Sequence, residues 1–400
     1  MNIVLLRHPD YAGSYSISLY TKMIASGMRG RGHKVEIWTA GNFFYRLPFP
    51  QPLKKWMGYI DRFLVFPLQF KRRIKKLSPE TLFVFADHAL GPWISLAASR
   101  PHIIHCHDFM AQRSALGEIS ENKVGLSGKI YQELIRRGYR KGRNFISISK
   151  KTRKDLERFL GRIPEISEVI YNGLNQNYKP EDPTAARQKL RKELKLPLEE
   201  GYILHVGGSQ FYKNRKGVIE IYDSFRKRCS YKVPLLFVGA PPEGDLKRVF
   251  ENTIFKKDIY FISNISNKLL QLTYQGANVL LFPSLDEGFG WPIAEAMASG
   301  CPVVTTNLAP MNEVAGAEAC YVLRRPAGED ADFWAAESAD ELIRLFNLPQ
   351  EERYSLIESG LENAKRFNTE DALAKIENVY QEILKQEVAS QPLKVSPEPI

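Results

Sequence analysis

The feature that most constrains this chain is a repeated alternation of short apolar runs with longer amphipathic stretches. Apolar runs lie at Ile3–Leu6, Val35–Trp38, Leu82–Phe85, Ile103–Cys106, Phe145–Ser149 and Glu168–Tyr171. Helix-period stretches such as Ser16–Arg29, Ile130–Arg140 and Lys151–Leu160 separate them. The rhythm restarts at Tyr202–Val206, Leu235–Val238, Ile259–Ile262, Val279–Phe282 and Val303–Thr305, with helical stretches at Gly217–Arg228, Asn267–Gly276 and Pro292–Ser299. Short strands spaced by helices of this length build parallel sheets from βαβ units. A single hydrophobic core stops growing near roughly 250–300 residues, so 400 residues predict two domains. The fold class expected is α/β, with two doubly wound sheets in tandem whose ligands bind at the carboxyl ends of the strands. The segment 172–200, rich in proline and charge, reads as a linker or surface passage. The chain turns helical from about residue 333, and residues 390–400, with three prolines, read as a disordered tail.

Charge is divided unevenly. Residues 1–180 carry 30 Lys and Arg against 13 Asp and Glu, a net of +17, and residues 181–400 carry 26 against 32, a net of −6. The basic excess is therefore a property of one domain, and it suits nucleic acid, an anionic membrane surface or an acidic small molecule. A mean hydropathy of −0.30, with no apolar run long enough to span a bilayer, argues against an integral membrane protein. The four cysteines form no C-x-x-C pair and read as reduced, buried residues. The four-residue apolar run after Met1-Asn2 is too short for a signal peptide. Both readings favour the cytoplasm.

The most informative passage runs from Pro283 to Val304. Val279–Phe282 delivers the chain to a turn in which Gly288 and Gly290 permit tight backbone approach. Pro292 suits a first helical position and Gly300 a helix stop. The helix thus begins at the ligand edge of the sheet, with unpaired N–H groups available to anions. Glu287 before the helix and Glu295 inside it could accept hydroxyl groups from opposite ends of one ligand. The plainer alternative for Glu295 is a carboxylate on the helix face.

The block E-G-F-G-W-P-I-A-E-A-M-A-S-G-C-P-V resembles the signature of the retaining glycosyltransferase family 4, which has the GT-B fold. The resemblance implies that Glu295 holds the ribose hydroxyls of a nucleotide sugar. It also implies that Glu287, with the backbone amides around Phe289 and Gly290, binds the donated sugar. Further segments match in the family's order. Ala12-Gly13-Ser14 is similar to the glycine loop near donor and acceptor, with Gly13 its glycine. Arg31-Gly32-His33-Lys34-Val35 resembles the lead into the second strand, Ile170-Tyr171-Asn172-Gly173 the passage between domains, and Glu313-Val314-Ala315-Gly316 the E-V-A-G segment.

Gly207 and Gly208 end the first strand of the second domain, and Lys213-Asn-Arg-Lys-Gly217 follows. Glycines followed by cations suit a diphosphate leaving group, whose developing negative charge they stabilise. The resemblance assigns this role to Arg215 and Lys216 and places Gly208 at the donor. Many relatives have an Arg at the position of Gly208, so Lys213 is a third candidate. In Ile104-His-Cys-His-Asp108, His105 and His107 share a strand face. A metal site lacks an identifiable third ligand, and buried histidines are the simpler reading. The segment resembles the family's H-x-H-D, which implies that His107, with His105 second, positions the donor sugar and stabilises positive charge at the anomeric carbon. Acceptor deprotonation then falls to the departing phosphate oxygen. The family generally requires no divalent cation, so no cofactor and no metal are expected.

Residues 53–76 interleave aromatic and aliphatic residues with Lys and Arg, and Pro67 is expected to interrupt any single helix. Interfacial membrane binding and a core-packed helix with a solvated basic face are both open.

The whole reads as a GT-B protein. Residues 1–175 form the acceptor-side Rossmann-like domain and 176–368 the donor-binding one, the two facing each other across a cleft, and a helix at 369–389 crosses back to the first. The implied activity is metal-independent, retaining hexosyl transfer from a nucleotide-diphosphate sugar to a glycan or lipid-linked hydroxyl, in cell-surface polysaccharide or glycolipid synthesis. An anionic membrane surface is a further expected partner, with no specific nucleic acid, and the location is cytoplasmic or peripheral on the inner membrane face. The alternatives are a non-catalytic nucleotide-sugar or glycan-binding protein of this fold and a nucleotide-sugar epimerase.

Overall fold

The computed structural model describes residues 1–389 apart from Ser14, Asn175, Ala327 and Glu329. The expected tail at 390–400 and the serine of the glycine loop lie outside the described residues. The chain divides into two compact units. One joins the described residues from Met1 to Leu174 with those from Thr369 onward, and the other is Gln176–Asn368.

The first unit contains β1 (Asn2–Leu6), β2 (Lys34–Trp38), β3 (Leu82–Phe85), β4 (His102–Cys106), β5 (Asn144–Ser147) and β6 (Ile166–Val169). They form one sheet in the order β2-β1-β3-β4-β5-β6, and every pair is parallel. Alternation sends Val4, Leu6, Phe83 and Phe85 to one core layer and Ile3, Leu5, Leu82 and Val84 to the other. Both faces must be covered, as in other parallel sheets. Helix Thr369–Ala389 helps cover the second face, burying Ala372, Leu373, Ile376, Val379, Tyr380 and Ile383 at helical spacing. Arg31 holds this helix by an ion pair to Glu377 at 3.2 Å, and His33 Nε2 lies 2.6 Å from the same carboxylate.

The second unit contains β7 (Ile203–Val206), β8 (Leu235–Val238), β9 (Ile259–Ile262), β10 (Val279–Phe282), β11 (Val303–Thr306) and β12 (Cys320–Val322). Their order is β12-β11-β10-β7-β8-β9, again parallel throughout. Each sheet reverses its direction of growth once, between β1 and β3 and between β7 and β10. At such switch points the loops leaving the strands part, and ligands of doubly wound sheets bind there.

Two segments differ from expectation. Part of 172–200 is the helix Pro183–Leu194, started by Pro183 and by the Asp182 carboxylate, which accepts from the Thr184 and Ala185 amides. Pro67 does not break its helix. Helical backbone continues through Gln51–Ile60, a wide turn at Asp61–Val65 and Phe66–Ile74. The wide turn absorbs the proline, because the Phe66 amide reaches back to the Asp61 carbonyl. The Arg62 carbonyl instead accepts the indole N–H of Trp93 at 2.8 Å.

Candidate active site

In the second unit the loops after β7 and β10 are tied together. Asn214 adopts a left-handed conformation (φ 49°), and its side chain accepts from the Gly217 amide and donates to the Pro283 carbonyl at 2.8 Å. The Leu285 amide donates to the Tyr212 carbonyl at 2.7 Å. These bonds bring Lys213 to Glu287, with 2.7 Å between Nζ and Oε1. Ser284 also donates to Glu287 Oε1, at 2.9 Å. Glu287 Oε2 takes no hydrogen bond within the described residues and is not sealed from solvent. Burial pushes the Glu287 carboxyl above its ordinary value, although Lys213 and Ser284 pull the other way. The result is a cation and an acceptor oxygen at the switch point, on side chains only 14% and 7% exposed.

Helix Trp291–Ala298 starts beside them from Gly290, whose φ of 96° favours glycine. Phe289 is a packing anchor, its ring edge-on to Phe367 at 5.4 Å. Glu295 is not a carboxylate on a solvated helix face. It is buried and accepts the Tyr274 hydroxyl at 2.7 Å, and the Tyr178 ring packs edge-on against Tyr274 at 5.8 Å. Burial raises its pKa, although the Tyr274 hydrogen bond pulls the other way. Gly208 lies half-buried after β7, where an added Cβ would meet the end of the Gln210 side chain.

The other two cations lie elsewhere in the loop. Arg215 is buried, donates to the Ala240 carbonyl at 2.5 Å and sits over the rings of Phe237 and Phe261. Lys216 faces Glu220 at 3.8 Å with 38% of its side chain exposed, against 14% for Lys213. The spacing of the motif does not single out Lys213, Ser284 or Tyr274. Ser284 is three residues from its partner in the same loop, but Lys213 and Tyr274 lie 74 and 21 residues from theirs and are brought there by the fold.

In the first unit His105 is sealed between two tyrosines, with Nδ1 2.6 Å from the Tyr20 hydroxyl and Nε2 2.9 Å from that of Tyr380. Burial pushes its pKa down to about 3, so it is a neutral core residue. His107 is half-buried, packs edge-on against Tyr20 and donates Nε2–H to the Ala86 carbonyl at 2.8 Å. Burial lowers its pKa as well. Gly13 closes a turn with φ 74°, its amide donating to the Asp10 carbonyl. Among the described residues no three His, Cys, Asp or Glu side chains are placed to hold a metal ion.

A second cluster at this edge was not anticipated. His8, after β1, meets Asp87, after β3, at 2.8 Å, and His88 Nδ1 lies 3.0 Å from the other Asp87 oxygen. Burial alone would raise the Asp87 pKa, but these histidines hold it well below the ordinary aspartate value of 3.8. A carboxylate with a depressed pKa contributes stability above its unfolded pKa and loses it as pH falls through the folded value. Asp87→Asn is therefore expected to be less stable than the natural chain at pH 7, with the difference shrinking below pH 3.8. Urea unfolding at a series of pH values measures this.

Two family models match the chain, Glycosyltransferase Family 4 over residues 17–178 and Glycosyl transferases group 1 over residues 186–360. An uncharacterised glycosyltransferase of Methanocaldococcus jannaschii is 21% identical over 346 residues, covering 80% of this chain and 84% of that protein. The O-antigen chain mannosyltransferase B of Escherichia coli is 28% identical over 237 residues, and the match spans only 59% of each protein. Among solved structures, sucrose-phosphate synthase from Thermosynechococcus elongatus matches with a TM-score of 0.74 at 18% identity, covering 96% of this chain and 100% of that one. Anabaena HepE, solved with UDP and glucose, matches with a TM-score of 0.65 at 16% identity, covering 97% and 100%. These two likenesses are likenesses of fold.

Proposed function

Because this chain belongs to the GT-B glycosyltransferases, matching family 4 in its first part and group 1 in its second, we propose that it moves a sugar from a nucleoside-diphosphate donor to a hydroxyl acceptor, with retention and without a divalent metal. The observation that carries this reading is the Lys213–Glu287–Ser284 group at the β7/β10 switch point, with Glu295, bonded by the Tyr274 hydroxyl, on the adjoining helix. Lys213 supplies a cation where diphosphate charge develops. Glu287 Oε2 accepts a hydroxyl of the transferred sugar, and Glu295 accepts those of the ribose. In the first unit His107, whose Nε2 carries the proton, offers the Nδ1 lone pair to a sugar hydroxyl. The anomeric carbon–phosphate bond breaks as the acceptor oxygen bonds on the same face, and the acceptor proton passes to the departing phosphate oxygen. Since related proteins include O-antigen mannosyltransferases, the proposed setting is cell-surface polysaccharide synthesis. A panel of UDP-, GDP- and ADP-sugars, GDP-mannose included, tests the donor site by thermal stabilisation. One class of donor is expected to raise Tm, and the rise is expected to survive a chelator. Stabilisation or turnover that depends on added Mn2+ contradicts the metal-independent reading.

We also propose that the first unit rests on an anionic membrane. Among the described residues no helix is long and apolar enough to cross one. Segment 51–74 buries Phe66 and Phe70 while leaving Trp56 60% and Leu64 62% exposed. Beside it, helix Leu126–Tyr139 exposes Leu126, Ile130 and Leu134 at i, i+4, i+8, and the Tyr59 and Tyr131 rings meet at a tilt, 5.8 Å apart. Residues 46–76 hold nine Lys and Arg against one acid. Apolar side chains framed by cations suit an anionic lipid surface. Co-sedimentation with phosphatidylglycerol vesicles is expected to exceed that with phosphatidylcholine, and Trp56→Glu with Ile130→Glu is expected to abolish it. Equal binding to both vesicles contradicts the proposal.

A further inference from the structure

At the carboxyl edge of the first sheet, two neighbouring residues each fix the proton of one histidine. The Ala86 carbonyl can only accept, so it takes Nε2–H of His107. The Asp87 carboxylate accepts the Ala89 amide at 3.1 Å and His8 Nε2–H at 2.8 Å. An ionised carboxylate has no proton to give, so in the neutral imidazole the proton of His8 sits on Nε2 and the lone pair on Nδ1. Asp87 is itself braced, because His88 is packed on Phe109 at 4.3 Å and near Tyr139 at 5.7 Å. The Nδ1 atoms of His8 and His107 have no partner within the described residues, and neither is sealed from solvent. Both imidazoles therefore present an oriented acceptor atom at the β1/β3 switch point, where ligands of such sheets bind. The resemblance gives His107 to the donor sugar, but nothing assigns the other histidine.

We infer that His8, oriented by Asp87, binds a hydroxyl of the acceptor, its Nδ1 accepting that hydroxyl's proton in a hydrogen bond. The ligand class is a polyol or glycan, and the inference rests on the transferase reading above. Asp87 is a positioning residue, since it acts through His8. Exchange of Asp87 for Asn would place an amide N–H against Nε2, turn it into an acceptor and move the imidazole proton to Nδ1.

The test uses the full chain with the donor chosen by the panel and methyl α-mannoside as the hydroxyl probe. Nucleotide release is followed against glycoside concentration, and donor affinity is read separately from thermal stabilisation. The natural chain is expected to release nucleotide faster as glycoside is added. His8→Ala is expected to lose about tenfold of the glycoside-dependent kcat/KM, the loss falling on the glycoside KM while the donor midpoint shifts less than about twofold. His8→Asn, whose Oδ1 can stand where Nδ1 stood, is expected to recover most of the loss, and Asp87→Asn to behave like His8→Ala. A glycoside response unaltered in His8→Ala, or a natural chain indifferent to glycoside, overturns this inference alone. A natural chain that releases no nucleotide from any donor overturns the transferase reading and this inference with it.

Discussion

Replacing Lys213 by alanine is expected to lower nucleotide-sugar turnover by about a hundredfold to a thousandfold, the scale of losing one preorganised charge at a site where negative charge develops. Two effects act together. The cation proposed to face the diphosphate is removed, and Glu287 loses the partner that opposes its burial. The Glu287 carboxyl should then protonate more readily and cease to accept a sugar hydroxyl. Lys216→Ala is expected to cost less than about tenfold, because its ammonium lies toward Glu220 and is 38% exposed. Single-turnover kinetics of the two variants side by side measure the difference. A larger loss for Lys216→Ala would return the phosphate role to that residue.

A comparably large effect on stability is expected at Gly138. Helix Leu126–Tyr139 crosses the short helix Gly91–Ile94 at contact distance between backbones. A Cβ on Gly138 would lie 2.1 Å from the Gly91 backbone, and one on Gly91 would lie 2.2 Å from the Ile135 carbonyl oxygen. No rotamer change relieves a clash with backbone, so Gly138→Ala should cost about 3 kcal/mol, the upper part of the range for overpacking. In a unit of this size that lowers Tm by roughly 10 °C. The consequence reaches the site, because the same crossing sets the loop carrying Asp87 and His88. Gly30→Ala is the contrasting case. Nothing lies within 4 Å of the added Cβ at the end of helix Tyr15–Gly30, and the substitution should stabilise by about 0.5 kcal/mol through the unfolded chain. Differential scanning calorimetry distinguishes the two signs.

The α/β architecture was legible because the inner strands of a parallel sheet are buried on both faces and so stand out as apolar runs. Leu82–Phe85, Leu235–Val238, Ile259–Ile262 and Val279–Phe282 have the same bounds in sequence and structure. Strand β12 did not stand out, since Cys320–Val322 has three residues and a tyrosine at its centre. Helix Pro183–Leu194 was hidden by prolines and charge, because it buries only Ala186 and Leu190. Glu287 and Glu295 could be singled out locally by their place before and inside one helix. The choice among Lys213, Arg215 and Lys216 could not be made that way. It depends on the left-handed Asn214, which begins the helix so that Arg215 turns inward onto Phe237 and Phe261. His8 and Asp87 lie 79 residues apart in sequence, so only the parallel pairing of β1 with β3 makes them neighbours.

Proton NMR of the natural chain with the stabilising nucleotide sugar, chelator and methyl α-mannoside tests transfer and retention together. The expected result is release of the nucleoside diphosphate and a new glycoside whose anomeric signal has the configuration of the donor. A product of opposite configuration would contradict retention. A folded chain that binds the donor but never releases nucleotide would contradict transfer itself.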